Sequence, residues 1–320
     1  MNAIVSALVT VFGIMFLGLV AERRRILAPS MALCLNQFVY WVSMPALIFM
    51  QMCSIPADGA GPFIWGSFAA SMLCYFLYYL LFSRFWRVHR PETTIRALAS
   101  AFPNAAFFGL PFIVMTFPGN QEAVTACMLC ALLYTGVFLT ADTTLDVLSS
   151  SGQARRGLGL RLAGELLRNP MLVSAVLGAC AGFSGLPVPR AVTGIAQMLG
   201  STAAPCALFG MGMVLSAQLS GAGAGAGRGS RSRLCLIGAL KLLVQPAITF
   251  LVLLAAGCSG TALAAGTVTA AMPTATMVYI LGERYQACPA EASFTVVATT
   301  LLSIVTLPVV MCALQLAGAV

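Results

Sequence analysis

Residues 101–111 read AFPNAAFFGLP. Pro103 removes a backbone donor and clashes with the preceding helical turn, and it pushes Phe102 toward extended geometry. Asn104 follows with a carboxamide that needs hydrogen-bond partners. Whether this is a surface turn or an interruption inside a membrane depends on what surrounds it. The chain has 320 residues, 60% hydrophobic and 8% charged, with mean hydropathy +0.95. A soluble domain carries about 25% charged residues. Residues 1–21 and 292–320 hold no charge, and about 20 apolar residues suffice to cross a bilayer. The composition is that of a polytopic membrane chain. Backbone in lipid must satisfy itself, which leaves helices or a closed barrel, and the long apolar runs select helices.

The first apolar run is neutral and is followed by Arg23, Arg24 and Arg25. A cleaved signal peptide has its positive region first, so this run is expected to be a retained membrane helix. Ten spans are predicted near 3–21, 31–52, 62–83, 92–117, 122–142, 168–185, 191–216, 234–257, 261–282 and 291–316. Counting 101–117 separately gives nine or eleven as alternatives. Basic residues fall after every odd span: Arg23, Arg24 and Arg25; Arg84, Arg87, Arg90 and Arg96; Arg155, Arg156, Arg161 and Arg168; Arg228, Arg231, Arg233 and Lys241; Arg284. Only Arg190 lies on the other side. The positive-inside rule then puts both termini outside the cytoplasm. The net charge of +8 is topology charge and calls for no nucleic acid. Lys241 is expected to snorkel to the cytoplasmic interface.

Two short segments recur. SMPALIFM (43–50) resembles AAPCALFG (203–210), and AFPNAAF (101–107) resembles AMPTATM (271–277). The matches fall in the second and fourth span of each half. Residues 1–150 and 168–320 therefore read as two five-helix repeats joined by a cytoplasmic loop at 151–167. Five is odd, so the second copy inserts upside down, as in many secondary transporters. Pro103 and Pro273 then break corresponding helices near mid-membrane. The half-helix N-termini present unpaired N–H groups and a positive dipole end, which suits an anion, with Asn104 and Thr274 capping the backbone or binding the ligand. The bland alternative is two proline kinks whose polar neighbours bond back to the backbone.

Other chemistry is poorly represented. The eleven cysteines are scattered, mostly within spans, and Cys127 and Cys130 form a single CxxC in an apolar helix. Its plain reading is small buried residues. With His89 the one histidine, no zinc site assembles. No P-loop is present, and no cofactor is expected. The segment AQLSGAGAGAGRGSRSR (217–233) reads as a flexible linker.

LNQFVYWVSMPALIF (35–49), ASAFPNAAFFGLP (99–111), LLRNPMLVSAVLGACAG (166–182), STAAPCALFGMGMVLS (201–216), KLLVQPAITF (241–250) and AAMPTATMVYILGERY (270–285) together resemble the auxin efflux carrier family, over nearly the whole chain. That family includes bacterial carriers of small organic acids such as malonate and malate. The resemblance implies ten helices in two inverted repeats, with helices 4 and 9 crossing at Pro103 and Pro273 and the substrate carboxylate at that crossover. It matches Asn104 to the Asn after the first proline. LYTGVF (133–138) resembles the fifth helix of the plant members, which implies that Tyr134 lines the cavity. The plant carriers have an Asn in the second crossover region, where this chain has Thr274 and Thr276. The expected binding set is Pro103, Asn104, Pro273, Thr274, Thr276, Ser43 and Tyr134. The resemblance also makes a homodimer plausible and points to a bacterial cytoplasmic membrane.

Glu283 and Arg284 close the ninth span, and Asp142 and Asp146 close the fifth. One reading has Glu283 and Arg284 anchor the interface. The other gives Glu283, Arg284 and Asp142 coupling or gating roles with a proton or sodium. Three functional classes compete. A secondary transporter of small organic anions fits the crossover. A cation–proton antiporter wants a carboxylate at mid-membrane, and residues 99–106 and 270–277 contain none. An intramembrane enzyme would need convergent Ser/His, paired Asp or metal-ligand sets, which the spans lack.

Overall fold

The structure is a computed structural model that describes residues 2–28, 30–53, 60–86, 90–149, 164, 168–184, 188–221 and 228–319. The connecting loop expected at 151–167 lies outside the described residues save Gly164, as do His89, Arg87, Arg155, Arg156 and Arg161. Among the described residues the chain is helical, without strands, and one isolated antiparallel bridge joins Pro103 to Thr274. Among the described residues, seven helices are long and apolar enough to cross a membrane.

The helices are α1 (Asn2–Arg23), α2 (Ser30–Met52), α3 (Ala60–Trp86), α4 (Arg90–Ala101), α5 (Ala105–Thr116), α6 (Gln121–Ser149), α7 (Pro170–Ser184), α8 (Arg190–Ser201) and α9 (Ala203–Gly221). Then come α10, built from Arg228–Ala239, a π-turn Leu240–Val244 and Gln245–Ala255, followed by α11 (Gly260–Ala270), α12 (Met277–Arg284) and α13 (Pro289–Leu316). The stretch 92–117, expected as one span, is thus two helices, and so is 261–282. Helix also takes up both ends of the expected linker 217–233, leaving 222–227 outside the described residues. Local signals explain several starts: the Asn120 side chain accepts from Ala123 N at 3.0 Å, and that of Asn169 from Met171 N at 3.0 Å.

Among the described residues, three π-turns, Val39–Ser43, Ala105–Gly109 and Leu240–Val244, each stop two residues before a proline: Pro45, Pro111 and Pro246. The physical cause is shared. A helical proline ring collides with the carbonyl four residues earlier. Those carbonyls belong to Trp41, Phe107 and Leu242, all inside the π-turns, and the wider turn moves them aside.

The chain forms two compact units, each drawn from both halves of the sequence. The first comprises Met1–Gly61, Ala106–Met128 and Gly159–Ala217. In it α1 and α9 approach backbone to backbone. A Cβ on Gly212 would stand 1.9 Å from the Met15 carbonyl oxygen, and one on Gly18 would stand 2.1 Å from that of Phe209. Small residues permit this contact, which drives helix association where lipid is as apolar as leucine. The helix α2 packs against α7 and α8 in the same way, with Gly178 against Phe49 and Gly200 against Leu47.

The second unit comprises Pro62–Ala105, Leu129–Leu158 and Gln218–Val320. Its core includes the fully buried Tyr75, Tyr78 and Phe82 of α3. The hydroxyl of Tyr78 donates to the Leu240 carbonyl at 3.1 Å, so a buried polar atom and the π-turn satisfy each other.

Candidate functional site

The site lies in the second unit, where α4 and α11 both stop. The last turn of α4 closes with Phe102 N donating to Leu98 O at 2.8 Å. Pro103 then has no N–H to continue the ladder. On the other strand, Ala271 N reaches Thr267 O at 3.0 Å before Pro273 ends the run. The two freed segments pair antiparallel: Asn104 N donates to Pro273 O at 2.8 Å, and Ala275 N donates to Phe102 O at 3.1 Å. Pro103 stands opposite Thr274 in this pair, at a position that requires no donor from it.

Broken helices expose carbonyls that the interior must pair. The hydroxyl of Thr274 donates to Ala99 O at 2.8 Å, and Thr274 N donates to the Thr299 hydroxyl at 3.1 Å. The side chain of Gln245 donates through Nε2 to Ala101 O at 2.8 Å. The Nζ of Lys241 donates to Ala270 O at 2.7 Å and to Gln245 Oε1 at 2.6 Å. One side-chain chain on α10 therefore reaches the last residue of both α4 and α11. On the far side of the break, the amides of Thr276 and Met277 open α12 with no hydrogen-bond acceptor among the described residues.

Pro103, Asn104, Pro273 and Thr274 of the expected set come together in this pair, with Asn104 5% and Thr274 0% exposed. Thr276 is the N-cap residue of α12. Tyr134 is buried on α6, and its hydroxyl lies 3.3 Å from Gln245 Nε2, so it meets the network through Gln245. Ser43 belongs to the other unit, where its hydroxyl lies 2.7 Å from that of Thr202.

Asp142 is buried and forms a second cluster with Arg284, whose Nη1 lies 3.5 Å from Oδ1. Tyr285 places one hydroxyl 2.9 Å from Asp142 and 2.5 Å from Asp146. Burial and the two carboxylates hold its phenol well above the ordinary tyrosine range, so it remains the donor. The Arg284 guanidinium stacks over the Tyr285 ring at 5.2 Å. Glu283 is exposed.

Two basic residues depart from their expected places. Lys241 does not snorkel: it is 0% exposed. The helix α10 begins at Arg228, so Lys241 follows more than three turns of helix, and its head group finds carbonyl partners inside the unit. Arg96 is not a loop charge but a buried residue of α4. Its Nε and Nη2 reach the Glu291 carboxylate at 2.9 Å each, and Nη2 reaches Glu92 at 3.1 Å. Sequence reasoning missed Gln245, Thr299 and the Lys241 contact. The one available signal was the Lys–Gln spacing in KLLVQP, which puts both side chains on one helix face.

A family model described as "Membrane transport protein" matches residues 3–311. A protein of Rhizobium meliloti (strain 1021) described as "Putative malonate transporter" is 27% identical over 310 residues, covering 96% of this chain and 94% of that protein.

Proposed function

The chain belongs to the membrane transport protein family, the auxin efflux carrier family that its motifs resemble, and on that premise we propose that it is a secondary transporter of small organic anions such as malonate or malate. Membership makes it a multi-pass membrane transporter rather than an enzyme. In the proposed mechanism the substrate carboxylate is held at the crossover by Asn104, Thr274 and Thr276, with the open amides of Thr276 and Met277 facing it at the positive end of α12. Alternating access moves one helical bundle against the other around this point.

The observation that carries the reading is the antiparallel backbone pair between Phe102–Asn104 and Pro273–Ala275. Irregular backbone at membrane depth is tolerated where it is buried in protein or lines a cavity, and here it brings two helix breaks together without a carboxylate between them. A cation carrier would want that carboxylate. The malonate description of the relative supports the substrate class.

Further parts of the proposal are ten spans in two inverted repeats, 1–150 and 168–320, both termini outside the cytoplasm, and residence in the bacterial cytoplasmic membrane. Ser43 and Tyr134 contribute to the cavity, and the protein works as a homodimer. Asp142 and Arg284, with Glu283 beside them, gate the cytoplasmic end or couple transport to a proton or sodium.

Uptake of labelled malonate, malate and an aromatic carboxylate into proteoliposomes tests this, with wild type and Asn104→Ala, with and without a proton gradient. Saturable uptake of one acid that collapses in the variant is the expected result. Transport of sodium or protons with no acid moved would install the antiporter reading instead. Normal uptake by Asn104→Ala would reduce Asn104 to a structural cap.

A further inference from the structure

We propose that Lys241 is the positioning residue that makes the crossover electrically receptive to an anion, by cancelling the negative ends of α4 and α11. This rests on the organic-anion reading. A break of this kind brings helix C-termini as well as N-termini to one place. Each C-terminus carries about half a negative charge. An anion drawn to the open amides of α12 is therefore also repelled by the ends of α4 and α11. Two half-charges equal one ammonium, and one ammonium is what α10 supplies when Lys241 is protonated.

The contacts are specific. Lys241 Nζ donates to Ala270 O, the last residue of α11, at 2.7 Å. It donates to Gln245 Oε1 at 2.6 Å, and the other end of that amide donates to Ala101 O, the last residue of α4, at 2.8 Å. Accepting from the ammonium polarises the Gln245 amide and strengthens its donation to Ala101. The side chains of Lys241 and Gln245 are both 0% exposed. The ion pairs that Arg96 and Arg284 form do not involve Lys241, whose head group meets the Ala270 carbonyl and the Gln245 amide oxygen instead. Its counter-charge is the pair of helix ends. Lys241 does not bind the substrate; it removes the repulsion the substrate would meet.

A purely structural lysine would hold the crossover together and affect every substrate alike. A charge acts in proportion to the charge it faces. The test compares uptake of malonate, a dianion, with malonamate, its monoamide and a monoanion, in wild type, Lys241→Met, Lys241→Gln and Lys241→Arg. Loss of the charge should raise KM about tenfold for the monoanion and about a hundredfold for the dianion, with kcat changed by less than about threefold. Lys241→Arg keeps the charge and should restore the dianion-to-monoanion ratio. Equal KM changes for the two substrates, or an unchanged KM, would overturn the proposal.

Hydrogen exchange of the Asn104 and Ala275 amides gives a readout that needs no substrate. Faster exchange is expected in Lys241→Met and Lys241→Gln and near wild-type exchange in Lys241→Arg. Exchange that is as fast in Lys241→Arg as in Lys241→Met would make the role of Lys241 structural and overturn the proposal. Wild type that moves no organic anion would sink the transporter reading, and the exchange result would then decide the role of Lys241 alone.

Discussion

The backbone N–H of Asn104 donates to the carbonyl of Pro273 at 2.8 Å, tying two helix breaks from opposite halves of the chain into one antiparallel pair. The proline that ends one helix run supplies the acceptor for the residue after the other. Neither segment can complete its hydrogen bonding alone, because each has lost its helical ladder. The pairing makes the crossover a structural unit rather than two adjacent kinks.

Thr274 ties that unit to α4 and α13. Its hydroxyl donates to Ala99 O at 2.8 Å while its own N–H uses Thr299. Thr274→Val keeps the shape but leaves a buried carbonyl unpaired, at a cost of about 1–3 kcal/mol. Thr274→Ser should recover most of that. Unfolding in detergent, followed by helical circular dichroism, measures both. Equal stability of Thr274→Val and wild type would remove the hydroxyl from the account.

In the first unit, Gly212→Ala puts a methyl 1.9 Å from the Met15 carbonyl oxygen, and backbone on both sides leaves nothing flexible to yield. The helices α1 and α9 must separate, which should cost about 2 kcal/mol or more. Gly13→Ala is the control, since nothing lies within 4 Å of its Cβ. It should be neutral or slightly stabilising, as expected for replacing glycine within a helix. A thermal midpoint for Gly212→Ala equal to that of Gly13→Ala would refute the close approach.

Arg96 joins α4 to α13 through two bonds of 2.9 Å to Glu291, with Glu92 one turn away on its own helix. Arg96→Met removes the shared cation and leaves two carboxylates facing one site. The loss should be of order 3 kcal/mol, within the range for breaking a buried pair. The double variant Arg96→Met/Glu291→Leu should regain part of it, because no uncompensated charge then remains at the α13 end. A double-mutant cycle on unfolding free energies gives the coupling, and zero coupling would mean the bonds contribute nothing.

Cys288 precedes α13, half-buried beside Glu291; desolvation first and that carboxylate second push its thiol up to about 12. The native state therefore holds the thiol proton more tightly than the unfolded chain does. Its stabilising contribution is complete below the unfolded thiol pKa and falls as pH rises toward about 12. The stability difference between wild type and Cys288→Ser should accordingly shrink between pH 8 and pH 11. Alkylation by iodoacetamide at pH 8 should be slow, because only about one thiol in 10,000 is then a thiolate. Rapid alkylation in the folded protein would contradict the raised thiol.

Composition and proline placement made the class legible from the sequence. A chain with 8% charged residues has to satisfy its backbone internally, and helices do that within each segment. Pro103 and Pro273 marked where helix must stop, because the lost donor and the ring clash are properties of the residue itself. Partner choice had no such local signature. The opposition of Pro103 to Thr274, the pairing of Ser43 with Thr202 and the grip of Arg96 on Glu291 all join residues far apart in the chain. Lys241 shows the difference most clearly. Its position in an apolar helix suggested a side chain escaping to water, because sequence alone offered it Gln245 one turn on but no group to balance its charge. The fold placed the ends of α4 and α11 beside it, and a buried cation becomes affordable only where such acceptors converge.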